Sequence, residues 1–538
     1  MTSYDSDRRV WSGPQIDPLF DPRRSAGDVV LELLDRGPEK PVQIDGDSGK
    51  VLTRGELRLR AVRIAQHLRK DYGCGGKNVE IVTIAALGNE NLIPLVVALQ
   101  CLAVPYNALF PNYTEDEMAH MMRQTRSRLM FCDAWNYETV REAARKALGE
   151  DVKIFIMDDA VDGVRSVKEL LTETGIEKDF KPTTVEDSSK SIWSIFCSSG
   201  TTGPPKGICL SHANRTSPFV PENITNIKIL ATGSIHWISV AYTYDIALFY
   251  DSVVVFTRKP FSENLIFDLV EKYKINAING PPIYASASAN HPRAKSADLS
   301  SMVLWGIGGY YVSDGVRDAV DAILPNGKSY TIYASTECGL IATDMIKRKL
   351  GATGTVSPNI QIRIVDDEGN SLGIGEHGEL LVKRLIPFAG YFQQPEATEA
   401  VLDSDGWFRS GDVGYFDEEG YLYLVDRKSE IFKYIDAVSP TQLEELISRV
   451  DGVEQVCVVG VPVENRSAEL PTAVVVKAAG SAVSGEEIAE YVAKNVRDHM
   501  KLRGGVHFVD QLPLTSKGNV KRKEVKSVVL KMLNICNQ

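Results

Sequence analysis

The chain has 538 residues, 43% of them hydrophobic, 24% charged and 8% aromatic, the composition of a folded globular protein too long for one compact core. Its 60 Lys and Arg stand against 71 Asp and Glu, a formal net charge of −11, so the whole-molecule field repels nucleic acid and anionic membranes and any anionic ligand must be held by local groups. The eight cysteines are scattered without a CxxC pair or a companion histidine spacing, which argues against a disulfide framework and a zinc site and fits a reducing compartment.

From the N-terminus, MTSYDSDRRVWSGPQIDPLF offers basic residues but no apolar run after them, so no secretory signal is expected. A buried strand is expected at 79–86 (VEIVTIAA), a helix at 91–102 and a strand at 129–132. The apolar stretches 92–110 and 237–256 are interrupted by Gln100, Pro105 and Asn107 and by Tyr244, Asp245 and Asp251, so neither is expected to span a membrane. The rhythm repeats as a helix at 267–273 before a strand at 275–278, and a helix at 314–323 before a strand at 330–333. Such alternation argues for parallel-sheet α/β architecture. The texture changes near Gln361, where apolar and polar residues alternate around Gly-rich turns, as antiparallel hairpins do. After Asp426-Arg427-Lys428 a tail of mixed elements is expected: helix 440–450, strands 455–461 and 471–477, helix 485–495, a strand near 506–509 and a terminal helix. The C-terminal NICNQ is not the Ser-Lys-Leu peroxisomal address, so the cytoplasm is the expected compartment.

Four segments carry chemistry. SSGTTGPPKG (Ser198, Ser199, Gly200, Thr201, Thr202, Gly203 and on to Lys206) lies between apolar runs and combines hydroxyls, glycines and a cation, as a phosphate cradle does. It is not a Walker loop, because Lys206 is followed by Gly207 and a strand-like run. Tyr333, Ala334, Ser335, Thr336 and Glu337 follow an expected strand, where open α/β sheets bind ligands, and Glu337 is a candidate Mg2+ ligand. Asp412 suits vicinal ribose hydroxyls, with Arg427 in support, although each also suits a structural ion pair. Lys517, in a Thr-Ser-Lys-Gly turn, can swing toward a distant partner or stand solvated.

In this order and spacing the four segments resemble the adenylate-forming superfamily that includes acyl-CoA synthetases, 4-coumarate:CoA ligases and beetle luciferases. The likeness runs from about residue 25 to 530. It takes in ALQCLAVPYNALFPNYTEDEMAH, the Gly308-Gly309-Tyr310 loop of GIGGYY, and HMKLRGGVHFVDQLPLTSKGNVKRKEV. The resemblance implies an N-terminal domain, 1–426, of two α/β subdomains plus a β-barrel-like one from about 355, and a small, mobile α+β C-terminal domain, 427–538. It implies that ATP and a carboxylic acid give an acyl-adenylate, with CoA as the second-step acceptor. Residues 198–206 would embrace the β- and γ-phosphates, and Thr336 the α-phosphate. Glu337 would bind Mg2+, Asp412 and Arg427 the ribose, and Tyr333 would pack by the adenine. Lys517 would bridge the substrate carboxylate and α-phosphate.

Two departures qualify this expectation. The loop that lines the thiol passage in such ligases is here KYIDAVSP, Lys433 to Pro440, one residue shorter, with Ile435 and Asp436 where Lys and Gly are expected. The acyl pocket is expected at Tyr242, Thr243, Tyr244 and Gly309, with Ala241 to Asp245 where relatives carry a histidine-glycine stretch and Tyr310-Tyr311 where Ala-Pro is expected. The leading expectation is an acid:CoA ligase for a fatty or aryl acid. The alternatives are an adenylate-former with a non-CoA acceptor and a non-catalytic relative that binds nucleotide or acyl ligands.

Overall fold

Short runs of Val, Ile, Leu and Phe that are buried along their whole length become the inner strands of two sheets, because a strand covered on both faces has no polar side to show. The computed structural model describes residues 2–75, 80–149, 152–197, 205–216, 225–463, 468–514 and 520–533. Its chain divides into two compact units, one of residues 1–3, 12–361 and 382–408 and the other of residues 4–11, 362–381 and 409–538.

The first unit holds both large sheets. The seven-stranded one runs in the order Gly207–Ser211, Ile192–Cys197, Tyr106–Ala108, Val82–Ala85, Leu129–Cys132, Lys153–Ile156, Arg165–Ser166. It is parallel except for the antiparallel pair Ile192–Cys197 and Gly207–Ser211, with Cys197 opposite Gly207. The nine-stranded sheet has a parallel centre, Lys328–Ser335, Leu304–Gly308, Ala277–Gly280, Lys228–Ala231, Val253–Phe256 and Pro41–Asp45, with antiparallel strands at both edges. The helices Glu263–Tyr273, Pro282–Asn290 and Asp314–Ile323 contribute Phe267, Ala285 and Val320 to the core around Trp305.

In the second unit, Phe408–Phe416 and Leu422–Arg427 form an antiparallel pair at one end of a six-stranded sheet. The N-terminal strands Ser3–Asp5 and Val10–Ser12 join its other end. Trp11 stacks between Tyr4 and Phe416, each at 4.6 Å between ring centroids. A three-stranded sheet, Val453–Pro462, Glu469–Lys477 and Val506–Phe508, has Leu443 and Ile488 of two helices in the core on one side and Val525 and Val529 of Arg522–Met532 in the core on the other. Much of the β-rich segment expected to belong with the N-terminal domain thus falls in one compact unit with the tail. Asp426 ties the two, accepting from Ser439 Oγ at 2.8 Å and Thr441 N at 3.0 Å. No described helix is long and apolar enough to cross a membrane.

Candidate active site

The parallel centre of the nine-stranded sheet directs four strand ends the same way, and ligands of open α/β sheets collect outside such carboxyl ends. At one of them Lys328–Ser335 turns back into Gly339–Thr343, with Ser335 opposite Gly339, so Thr336, Glu337 and Cys338 form a three-residue hairpin tip. Ser335 Oγ accepts from Cys338 N at 3.1 Å, and Gly339 takes the left-handed φ of +69° that such a tip needs. The geometry therefore projects Thr336 and Glu337 beyond the sheet. Tyr333 is buried beneath them, and Ala334 is exposed.

Glu337 is held from two sides. Tyr391 Oη donates to its Oε1 at 3.1 Å, and Arg384 Nη1 donates to its backbone carbonyl at 3.2 Å. Burial, with the Glu337 carboxylate beside it, pushes the Tyr391 hydroxyl well above the usual phenol range, so Tyr391 stays a neutral donor. Lys206 Nζ lies 5.0 Å from the centre of the Tyr391 ring. A bridge between Ile208 and Tyr391 fixes this meeting of residues distant in sequence. Lys206, Tyr391 and Glu337 thus form one cluster of cation, hydroxyl and carboxylate.

At the next strand end, Leu304–Gly308 leads into Gly309, with φ of +84° and no heavy atom within 4 Å of where a Cβ would stand, and then into the exposed Tyr310. Of the three expected pocket residues on the helix Ile238–Phe249, Tyr242 is half-buried, and a Cβ on Gly339 would sit 3.7 Å from its hydroxyl. Thr243 Oγ1 instead donates to Ser239 O of its own helix at 2.9 Å, and Tyr244 is buried. Sequence reasoning passed over His236, which precedes this helix. It is buried, its Nδ1 lies 2.6 Å from Ser234 Oγ, and its ring sits 4.5 Å from Phe110, just past a strand end of the seven-stranded sheet. It also passed over Tyr391 and Arg384, for which no local pattern gives a signal.

In the second unit Asp412 and Arg427 face each other across the strand pair. Arg427 Nε donates to Asp412 Oδ1 at 2.8 Å and its Nη1 to Ser410 O at 3.0 Å, with Asp412 buried and Arg427 exposed. Lys428 is held by Asp367 and Glu379, which raise its affinity for its proton. The segment 433–440 begins in a hairpin of Phe432–Lys433 and Ala437–Val438, with Lys433 opposite Ala437 and Tyr434 N donating to Asp436 O at 3.1 Å, and ends at Ser439 and Pro440, where the helix Pro440–Ile447 starts. Neither Ile435 nor Asp436 has a positive φ, so the shortened turn does not require the glycine expected there. The candidates Ser198, Ser199, Gly200, Thr201, Thr202, Gly203 and Lys517 lie outside the described residues; the strands Ile192–Cys197 and Gly207–Ser211 bracket the first group, and a bridge between Leu514 and Val520 brackets Lys517.

The first unit thus brings a carboxylate-bearing hairpin tip and a lysine to the same tyrosine at the strand ends of an α/β sheet. The AMP-binding enzyme family matches residues 32–392, and the C-terminal domain of AMP-binding enzymes matches 442–519. The chain belongs to this family of ATP-dependent, adenylate-forming enzymes. Luciferin 4-monooxygenase of Photinus pyralis is 31% identical over 503 residues, 89% of each chain, and 4-coumarate–CoA ligase 3 of Oryza sativa subsp. japonica is 28% identical over 507, 91% of this chain and 89% of that one. An ATP-bound MatB from Rhodopseudomonas palustris shares the fold, with a TM-score of 0.81 at 22% identity, covering 94% of this chain and 99% of that one.

Proposed function

We propose that this enzyme activates a fatty or aryl carboxylic acid with ATP and passes the acyl group to the thiol of CoA. The observation that carries this reading is the Lys206–Tyr391–Glu337 cluster at the Thr336 hairpin tip, a fixed arrangement of opposite charges where a triphosphate and a divalent ion must be held together.

The acid carboxylate attacks the α-phosphorus of ATP, forming the acyl–O–P bond as pyrophosphate leaves. Attack of one anion on another requires positive charge placed in advance. On this reading residues 198–206 hold the outer phosphates, Thr336 the α-phosphate, Asp412 and Arg427 the ribose, and Tyr333, Ala334, Ser335, Gly308, Gly309 and Tyr310 border the nucleotide. Lys517 bridges the carboxylate and α-phosphate. Glu337 offers a hard oxygen suited to Mg2+. Among the described residues no group of three or more His, Cys, Asp or Glu side chains could hold a metal ion, so on this reading Glu337 would hold the ion together with phosphate oxygens and water. When bound, the ion neutralises phosphate charge. CoA thiolate would then attack the acyl carbon and expel AMP.

One observation favours an acceptor other than CoA: the tight turn at 433–437 places Ile435, 66% exposed, at the tip of the segment expected to line the thiol passage. The test is mass-spectrometric detection of AMP and acyl products from protein given ATP, Mg2+, a panel of short, medium, long and aromatic acids, and CoA or simple amines. Thioester that falls at least a hundredfold in Lys517→Ala supports the ligase. Adenylate with amide and no thioester supports the second reading, and pyrophosphate from no acid overturns both.

A further inference from the structure

Lys206 owes its place to a helix far from it in sequence. The helix Glu115–Thr125 is fixed in register by a capping box of Thr114 and Glu117, and it buries Met118, Met121 and Met122 in the core with Met130 and Ile154 of the seven-stranded sheet. It also carries His120, half-buried, whose Nε2 lies 3.2 Å from the carbonyl oxygen of Pro205, the residue before Lys206. A carbonyl can only accept, so the bond requires a proton on that nitrogen. The side-chain amide of Gln124, one turn along the helix, lies 2.9 Å from the same Nε2. With its oxygen toward the ring it is a second acceptor, and that oxygen is buried with no other partner among the described residues. The two acceptors fix the imidazole as an Nε2–H donor.

What this donor grips governs the cation beside it. The proline ring sets φ at about −65°, so ψ is the soft backbone angle left at Pro205, and it swings the carbonyl oxygen and the nitrogen of Lys206 together. Holding the oxygen therefore holds the peptide plane from which Lys206 departs. On the other side stands Gly207, whose carbonyl accepts from Phe392 N at 2.7 Å and where a Cβ would lie 2.8 Å from Ile195 Cγ2 and 3.2 Å from Phe392 Cβ. Lys206 is thus anchored through both neighbours, with its Nζ 5.0 Å from the centre of the Tyr391 ring, whose hydroxyl bonds Glu337. Resting on the adenylation reading above, we propose that His120 is a positioning residue, whose N–H holds the Pro205 carbonyl and so aims the Lys206 ammonium at the phosphates of ATP. Without that bond, ATP must order the peptide as it binds, and the cost falls on ground-state affinity.

The test is calorimetric titration of the full chain with MgATP in the absence of acid, beside steady-state AMP formation across the panel of acids. His120→Met, which keeps the bulk and loses the donor, is expected to raise the dissociation constant and the KM for MgATP about three- to tenfold, while kcat stays within about twofold. His120→Gln, whose amide N–H reaches about as far as Nε2, is expected to restore both nearly to the parent values. In a Lys206→Met background His120→Met is expected to add nothing, since both changes act through one contact. Equal affinities in parent and His120→Met, a loss that His120→Gln does not restore, or losses that add in the double variant each overturn the proposal. So does a parent that does not bind MgATP. Where His120→Met fails to fold, His120→Asn, whose amide stops short of Pro205, is read in its place. The expected affinities without AMP from any acid leave the positioning role standing and remove the adenylation reading, and AMP formation with an affinity indifferent to these variants does the reverse.

Discussion

Tyr391 shows how much one hydroxyl can govern. It donates to Glu337 Oε1 at 3.1 Å, and its own backbone N–H donates to Thr398 Oγ1 at 2.9 Å, so the phenol is anchored where it meets the carboxylate. A group that orients a metal ligand without touching the metal typically changes affinity by ten- to a hundredfold when removed. Tyr391→Phe is therefore expected to raise the Mg2+ concentration for half-maximal AMP formation about tenfold; an unchanged Mg2+ curve would deny the hydroxyl its positioning role. His212 makes a second prediction. It is fully buried, its Nδ1 accepts from Ala26 N at 3.1 Å, and burial lowers its pKa from 6.5 to about 4. The unfolded chain then binds the extra proton first, so stability due to this group is complete above about pH 6.5 and is lost as pH falls toward 4. The parent's unfolding free energy should drop by about 2 kcal/mol more between pH 7 and 4.5 than that of His212→Gln, read from urea melts at each pH. Neither Tyr391 nor the acceptor role of His212 was legible in the sequence, because each depends on a partner 54 or 186 positions away. Glu337 and Lys206 stood out as candidates because the residues that single them out, YAST before Glu337 and SSGTTGPP before Lys206, lie beside them in sequence.

Elements whose ends are written locally were read closely. The helices Asp314–Ile323 and Gly485–Asn495 start after Ser313 and Ser484, whose hydroxyls accept from Val316 N and Glu487 N, and the strand Leu129–Cys132 is an unbroken buried run. The strands Ser3–Asp5, Val10–Ser12 and Val51–Thr53 were not foreseen, since three residues carry no period and their place is set by pairing with distant strands. The adjacent glycines after Trp305 separate two uses of the residue at this level. A Cβ on Gly308 would stand 2.4 Å from the Ile332 carbonyl oxygen, inside the strand pairing, whereas one on Gly309 would meet nothing and suffer only from φ of +84°. Gly309→Ala should cost about 1 kcal/mol, and Gly308→Ala appreciably more, because backbone must move. Comparable losses in denaturant melts would mean that the strand end is not packed as described.

At the scale of the molecule, the net charge of −11 gives no help in holding ATP, so local cations and backbone must supply all of the attraction. That makes ground-state binding and chemistry separable by mutation. A ligand at a hundred times its dissociation constant stabilises the state that binds it by about 2.7 kcal/mol, and in a chain of two compact units only the unfolding transition that releases the nucleotide should move. MgATP is expected to raise that transition in the unaltered protein and in Lys517→Ala to nearly the same extent, because a residue that acts on charge developing during attack contributes little to ground-state binding. AMP formation should collapse in the variant alone. Equal stabilisation with equal AMP formation would move the adenylation role to another cation. Loss of the thermal shift in Lys517→Ala would make the lysine a nucleotide-binding group, and stabilisation by MgATP without AMP from any acid would leave a nucleotide-binding relative that has kept the site and given up the reaction.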